Sequence, residues 1–151
     1  MVRTAALVLA ALVFGAASVG SDAASRCALT RTDALGPFYE PGAPVRSKVG
    51  TGYVLRGRVL TTGCRSIARA RIELWLVNRR GEYDDAHRAT VVAARDGRYR
   101  FESNKPPGYQ GRPPHIHVRV SARGFRTLVT QHYPKAGRNT ALFNLVLARR
   151  A

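Results

Sequence analysis

From residue 52 onward the apolar positions come in short alternating runs separated by turn residues. Tyr53 to Leu60 alternates around Gly57 and stops at Thr61-Thr62-Gly63, and Ile72 to Val77 is a compact run rich in branched and aromatic residues. Ala89 to Ala94 leads into an Asp96-Gly97 turn, after which Arg98 to Phe101 resumes the alternation. His117 to Ala122, Thr127 to His132 and Ala141 to Ala148 complete the series, with Gly124 and Gly137 between them. None of these segments keeps a helical period over ten residues. Short strands with turns at this spacing predict an all-β chain folded as a β-sandwich, a single domain without internal repeats or low-complexity linkers.

The N-terminus has a different pattern. Arg3 is followed by an apolar stretch, Ala5 to Ala17, too short to span a bilayer comfortably, and Ser21-Asp22-Ala23 has the small-x-small form of a cleavage site. Residues 1–23 therefore read as a signal peptide and 24–151 as the exported domain, extracellular or periplasmic and free of the membrane after processing. In an oxidising compartment the two cysteines, Cys27 and Cys64, are expected to pair, with two buried or free thiols as the alternative. Charge changes the picture less than its size suggests. Lys and Arg exceed Asp and Glu by 16, but the arginines are scattered, with no nucleic-acid motif and no interleaved aromatic platform. A solvated basic surface fits better than a nucleic-acid partner, and anionic wall polymers or carboxylated aromatics are compatible with its charge.

The chemistry concentrates in Pro106 to Val118. His115 and His117 are separated by one apolar residue, so a strand over Ile116 to Val120 points both imidazoles to one face. Tyr109 and Arg112 precede them in a Gly/Pro-rich segment that cannot be helical. A zinc or Fe(II) site built on this pair needs a carboxylate or a third histidine, yet no Asp or Glu follows Glu102. That excludes a cupin-like site, in which a Glu follows His-x-His. The nearest oxygen donors are Tyr109 and Tyr83, the latter in the turn-like Gly81-Glu82-Tyr83-Asp84-Asp85. Two phenolates and two imidazoles form a hard, electron-rich set suited to Fe(III).

With these residues in place, the chain resembles the intradiol ring-cleavage dioxygenases, specifically their short secreted members, from about Leu29 to Tyr133. The resemblance runs through Gly36 to Arg46 (Gly-Pro-Phe-Tyr-Glu-Pro-Gly-Ala-Pro-Val-Arg), Ile72 to Trp75, Gly81 to Tyr83, Asp96 to Phe101, Arg112 to His117 and Thr130 to Tyr133. It implies a non-haem Fe(III) enzyme that opens catechol-type diols with O2 to muconate-type products. By the same resemblance Tyr83, Tyr109, His115 and His117 are the metal ligands, with Tyr109 the one that leaves when the diol binds. Arg112 becomes the active-site arginine, Gln131 a polar residue at the rear of the pocket, and Gly36, Pro37 and Tyr39 part of the pocket mouth, while His87 and His132 are not ligands. The chain departs from the larger members in running from Tyr109 straight into His115 without their longer insertion, which implies an open, shallow site. The alternative, carried by Val54 to Phe101, is a non-catalytic secreted sandwich of the prealbumin or carboxypeptidase-regulatory type, serving as a binding module.

Overall fold

The computed structural model describes residues 26–151. The signal segment expected over 1–23 lies outside them. Eight strands and no helix form among the described residues: β1 (Tyr53–Thr61), β2 (Arg71–Val77), β3 (Tyr83–Val92), β4 (Arg98–Ser103), β5 (Ile116–Ser121), β6 (Leu128–His132), β7 (Thr140–Leu142) and β8 (Leu145–Leu147). One sheet has the order β4-β1-β7, with β8 also pairing β1, and the other the order β3-β2-β5-β6. The all-β sandwich expected from the alternation is the fold observed.

Strand period places the core. Ile72, Leu74 and Leu76 of β2 and Ile116, Val118 and Val120 of β5 face inward, against Leu55, Val59 and Phe101 of the other sheet. Each such side chain contributes about 1.5–3 kcal/mol by leaving water. The positions between them, Glu73, Trp75, His117 and Arg119, point to the outer face of the second sheet, and the pairs Trp75↔His117 and Glu73↔Arg119 stand opposite one another there. This outer face is nevertheless largely buried, which is why β2 reads as almost continuously apolar instead of alternating.

What covers it is the strandless segment 26–50. The segment starts at the end of β1, where Cys27 N donates to Thr62 O and Cys27 is joined to Cys64 in the expected disulfide. It follows β6 through Asp33 N to Val129 O and crosses the outer face of the second sheet at residues 36–39. It then runs along β3 through Arg46 N to Thr90 O and reaches β4 through Val49 N to Glu102 O. Both edges of the second sheet are thereby paired and shielded.

Two strand boundaries differ from expectation. The run Ala141 to Ala148 is broken at Phe143-Asn144, because the chain arches over Gly57 of β1. A Cβ at Gly57 would lie 2.1 Å from the Phe143 carbonyl oxygen, and the Asn144 side chain, not its backbone, accepts from Arg58 N. The third strand begins at Tyr83, six residues before the expected Ala89, and this shift matters for the site.

Candidate active site

Tyr83 reaches the site through an irregularity in strand pairing. Trp75 pairs with Arg88, but two residues on, Val77 pairs with Tyr83, so the chain from Asp84 to His87 bulges out of the ladder. The bulge is pinned from within by Asp84 Oδ1, which accepts from His87 N (2.9 Å) and lies 2.6 Å from His87 Nδ1. Arg46 pins it from outside by donating to the carbonyls of Asp85, Ala86 and Arg88. Tyr83 is thus returned to the outer face beside Trp75 and His117.

Tyr109 and Arg112 are presented by a second device. They bracket a two-residue turn in which Gln110 and Gly111 both have positive φ (47° and 74°), closed by Arg112 N to Tyr109 O at 2.8 Å and Tyr109 N to Arg112 O at 3.2 Å. The two side chains flank the His115–His117 pair at the start of β5.

The polar tips converge. Tyr83 Oη lies 2.8 Å from His117 Nε2 and 2.8 Å from Tyr109 Oη, and His115 Nε2 lies 3.2 Å from His117 Nε2. Metal bonds of about 2.0–2.1 Å to imidazole and oxygen place adjacent donors about 2.8–3.4 Å apart, which is the spacing seen here. Among the described residues no group of three or more His, Cys, Asp or Glu comes together, so a cation held at this point would take phenol oxygens.

The protonation states suit that role. His115 Nδ1 is 2.8 Å from the Pro113 carbonyl, which fixes the tautomer and leaves Nε2 with its lone pair toward the cluster. Burial, with help from His115 and Arg112, lowers the His117 pKa to about 4, and burial also lowers that of His115, so both rings are neutral near pH 7. Burial and the hydrogen bond to Tyr109 push the Tyr83 phenol far above its ordinary pKa. A phenol so placed ionises only when a cation supplies compensating charge. The donor set therefore fits a trivalent iron.

Packing fixes the rings. Trp75 stacks on His117 (centroids 4.8 Å apart, 5° between planes) and Phe38 stacks on Tyr83 (4.4 Å, 19°). Gly36 has φ +75°, and a Cβ there would stand 2.9 Å from His117 Cε1, so the covering segment can come this close only as glycine. Arg112 Nη2 donates to Gln131 Oε1 (2.8 Å), and Gln131 Nε2 donates to the Ala34 carbonyl (2.6 Å). The Tyr133 hydroxyl sits between Gln131 Oε1 and Asp33 Oδ2, at 2.9 and 2.8 Å. Arg112 is thus held by a neutral amide and forms no salt bridge among the described residues, although its charge helps lower the pKa of the nearby Asp33 carboxyl.

The structure brings together Tyr83, Tyr109, His115, His117, Arg112, Gln131 and Gly36. Tyr39 is set apart from them. Its ring tilts against the face of Trp75 (5.2 Å), its hydroxyl donates to Glu73 (3.2 Å), and Arg119 lies over it at 5.4 Å. Pro37 is exposed in the turn between Gly36 and Phe38. The aromatic side chain of this segment that meets a candidate ligand is that of Phe38, and nothing in the alternation of polar and apolar positions distinguishes it from Tyr39. His132 bonds Tyr53 and His87 bonds Asp84, both away from the cluster. A hollow of about 300 Å³ opens beside Tyr83, lined by Phe38, Glu40, Asp84, Asp85 and Arg88. The larger groove, about 810 Å³, lies on the opposite sheet and touches none of the clustered residues, so the chemistry and not the volume locates the site.

A protein-family model described as Dioxygenase (Dioxygenase_C) matches residues 42–148, well over half of the chain. The chain belongs to the intradiol dioxygenase family. It is 30% identical over 141 residues to a catechol 1,2-dioxygenase of Candida albicans, a match covering 69% of this chain and 46% of that protein. It is 33% identical over 131 residues to a hydroxyquinol 1,2-dioxygenase of a Rhizobium species, covering 64% of this chain and 44% of the relative. The chain thus spans about half the length of these relatives. Among solved structures, the dioxygenase domain of a dioxygenase carbohydrate-binding protein fusion from Streptomyces sp. SirexAA-E has the same fold, with a TM-score of 0.74 at 24% identity over 82% of this chain and 100% of that one.

Proposed function

We propose that this chain is an exported, Fe(III)-dependent enzyme that opens catechol-type aromatic diols between their hydroxyl groups with O2, giving muconate-type products. The observation that carries the reading is the convergence of Tyr83, Tyr109, His115 and His117 at cation-ligand spacing. Family membership supports it, and so does the absence of an all-His/carboxylate cluster among the described residues. Bound Fe(III) would supply Lewis-acid charge and the redox-active centre that the diol and O2 require.

The chain's own groups divide the remaining work. Tyr83 and His117, clamped by Phe38 and Trp75, are the fixed side of the site. Tyr109 stands on a turn at the surface, and its phenolate oxygen takes a proton from an incoming diol hydroxyl. Arg112 is a permanent cation oriented by Gln131, placed to hold the anionic diol and to stabilise charge that develops on the ring. Phe38 covers one face of the Tyr83 ring and keeps water from that face. Residues 1–23 direct export and are removed, so N-terminal sequencing of secreted protein is expected to start between Ala23 and Arg26.

The test is optical and chemical. The protein reconstituted with ferric iron is expected to be coloured, since phenolate-to-Fe(III) charge transfer absorbs visible light. Catechol added without oxygen should shift the band, and admitting O2 should yield a ring-opened muconate in place of the yellow extradiol semialdehyde. Tyr109→Phe should retain much of the iron but bind catechol slowly, whereas His117→Ala should lose iron more severely. A protein that stays colourless after ferric reconstitution overturns the proposal and leaves the binding-module reading in its place.

A further inference from the structure

The outer face of the first sheet, on the side of the sandwich away from the candidate active site, carries four arginines in two directly opposed pairs. Arg56 of β1 stands across from Arg100 of β4, and Arg58 from Arg98, with Gly57↔Tyr99 between them. All four are exposed. Like charges at opposed positions weaken a strand pair, and nothing in the fold requires them here. Asp96 pairs with Arg98 (3.0 Å) and Glu102 with Arg100 (2.9 Å) and Lys48 (3.0 Å), but neither Arg56 nor Arg58 has a salt bridge among the described residues. The other described carboxylates, Asp33, Glu40, Glu73, Glu82, Asp84 and Asp85, lie on the covering segment or by the second sheet. The groove of about 810 Å³ runs over this basic face.

We propose that this face is a docking site for a linear polyuronate, a polysaccharide bearing a carboxylate on each sugar. The ladder sets the Cα atoms that carry these arginines about 5 Å apart across the strands and about 7 Å along them, a repeated array of anchor points whose side chains a row of regularly spaced carboxylates can engage at several points. The pairs that Arg98 and Arg100 already make with Asp96 and Glu102 show the geometry that polymer carboxylates would take up at Arg56 and Arg58. Leu142, 73% exposed, continues the row Arg100–Arg56 onto β7 and offers an apolar spot for the C–H face of a sugar ring. Two rival polyanions fit less well. Single-stranded nucleic acid needs exposed rings for base stacking, and the one ring in the groove, Tyr99, is buried with its hydroxyl donating to the Phe143 carbonyl. An anionic membrane needs more apolar surface to insert than Leu142 alone provides. A polymer held here leaves the opposite face, with Tyr109 and Arg112, open to small diols.

The test uses the exported chain with its disulfide intact and polygalacturonate as the probe, with binding measured by calorimetry at low ionic strength. R56Q/R58Q is expected to bind roughly tenfold more weakly. It should keep its thermal midpoint and its ferric colour, because it removes opposed like charges and touches no candidate ligand. R123Q/R126Q removes the same charge from the exposed turn before β6 and is expected to bind as the parent does. Equal losses in the two double variants would show a diffuse charge effect and overturn the site. Tighter binding to a single-stranded oligonucleotide or to phosphatidylserine vesicles than to polygalacturonate would overturn the choice of partner.

Discussion

At the scale of single residues, the candidate site depends on side chains that were chosen for closeness as much as for chemistry. His117 is held between Trp75 on one side and the backbone of Gly36 on another, and its lone pair is kept free because burial drives its pKa down to about 4. Gly36→Ala tests this closeness. The new methyl would meet His117 Cε1 at 2.9 Å on a backbone at φ +75°, so both the ring and the covering segment must yield. The expected cost is about 1–3 kcal/mol of stability in urea unfolding, with weaker ferric-iron retention measured by dialysis against a chelator. Gly124→Ala, in the turn before β6 and away from the cluster, also has a positive φ, but no atom lies within 4 Å of its Cβ, so it serves as the control that should lose stability through the backbone alone. Equal iron retention in the two variants would remove the claimed role of Gly36 beside the ring.

At the scale of elements, the segment 26–50 does what no strand could, crossing the outer face of one sheet, pairing with that sheet's two edges at Asp33 and Arg46, and fastening its own ends to the other sheet. Its fastening at Cys27–Cys64 closes a loop with a sequence separation of 37, for which chain-entropy arithmetic gives roughly 3–4 kcal/mol. Reduction is therefore expected to lower the unfolding free energy measured in urea by up to that amount. It should also quench less of the ferric colour than His117→Ala does, since neither cysteine is near the cluster; complete loss of colour on reduction would show that the segment, and not the ligands, holds the site together. This element was the least legible in the sequence. The strands could be read from alternation, and the His115–His117 pair from the period of two, because both are local patterns. That Phe38 and not Tyr39 stacks on Tyr83 is decided by how the segment lies across the sheet. That Tyr83 opens a strand is decided by a bulge from Asp84 to His87, pinned by Arg46 from some forty residues away. The split of Ala141 to Ala148 likewise follows from the approach of Phe143 to Gly57, a contact between distant parts of the chain.

At the scale of the whole molecule, the two sheets are joined by a polar contact that makes stability depend on pH. His132 at the end of β6 places Nε2 2.7 Å from the Tyr53 hydroxyl of β1 and packs against Phe143 (5.1 Å), so one imidazole touches both layers. Burial lowers its pKa to about 4, from an unfolded value near 6.5. Because the fold favours the neutral ring, its contribution is fully present above pH 6.5 and is lost as the pH falls toward 4, where the unfolded chain binds the proton first. The full shift corresponds to about 3 kcal/mol; His132 keeps partial access to solvent, and discounting for that leaves about 1–2 kcal/mol. His115 and His117 shift in the same direction in the metal-free protein, whereas the carboxylates lowered by the fold, among them Asp33 and Asp84, act only below the usual carboxylate range. The comparison must therefore be between variants over pH 7.5 to 4.5. Metal-free parent protein should lose urea stability steadily across that interval, and His132→Gln, which can still bond the Tyr53 hydroxyl but cannot titrate, should lose about 1–2 kcal/mol less. If the two unfold with the same pH dependence, His132 is already protonated or solvated in the folded state, and the contact between the sheets is not the acid-sensitive one.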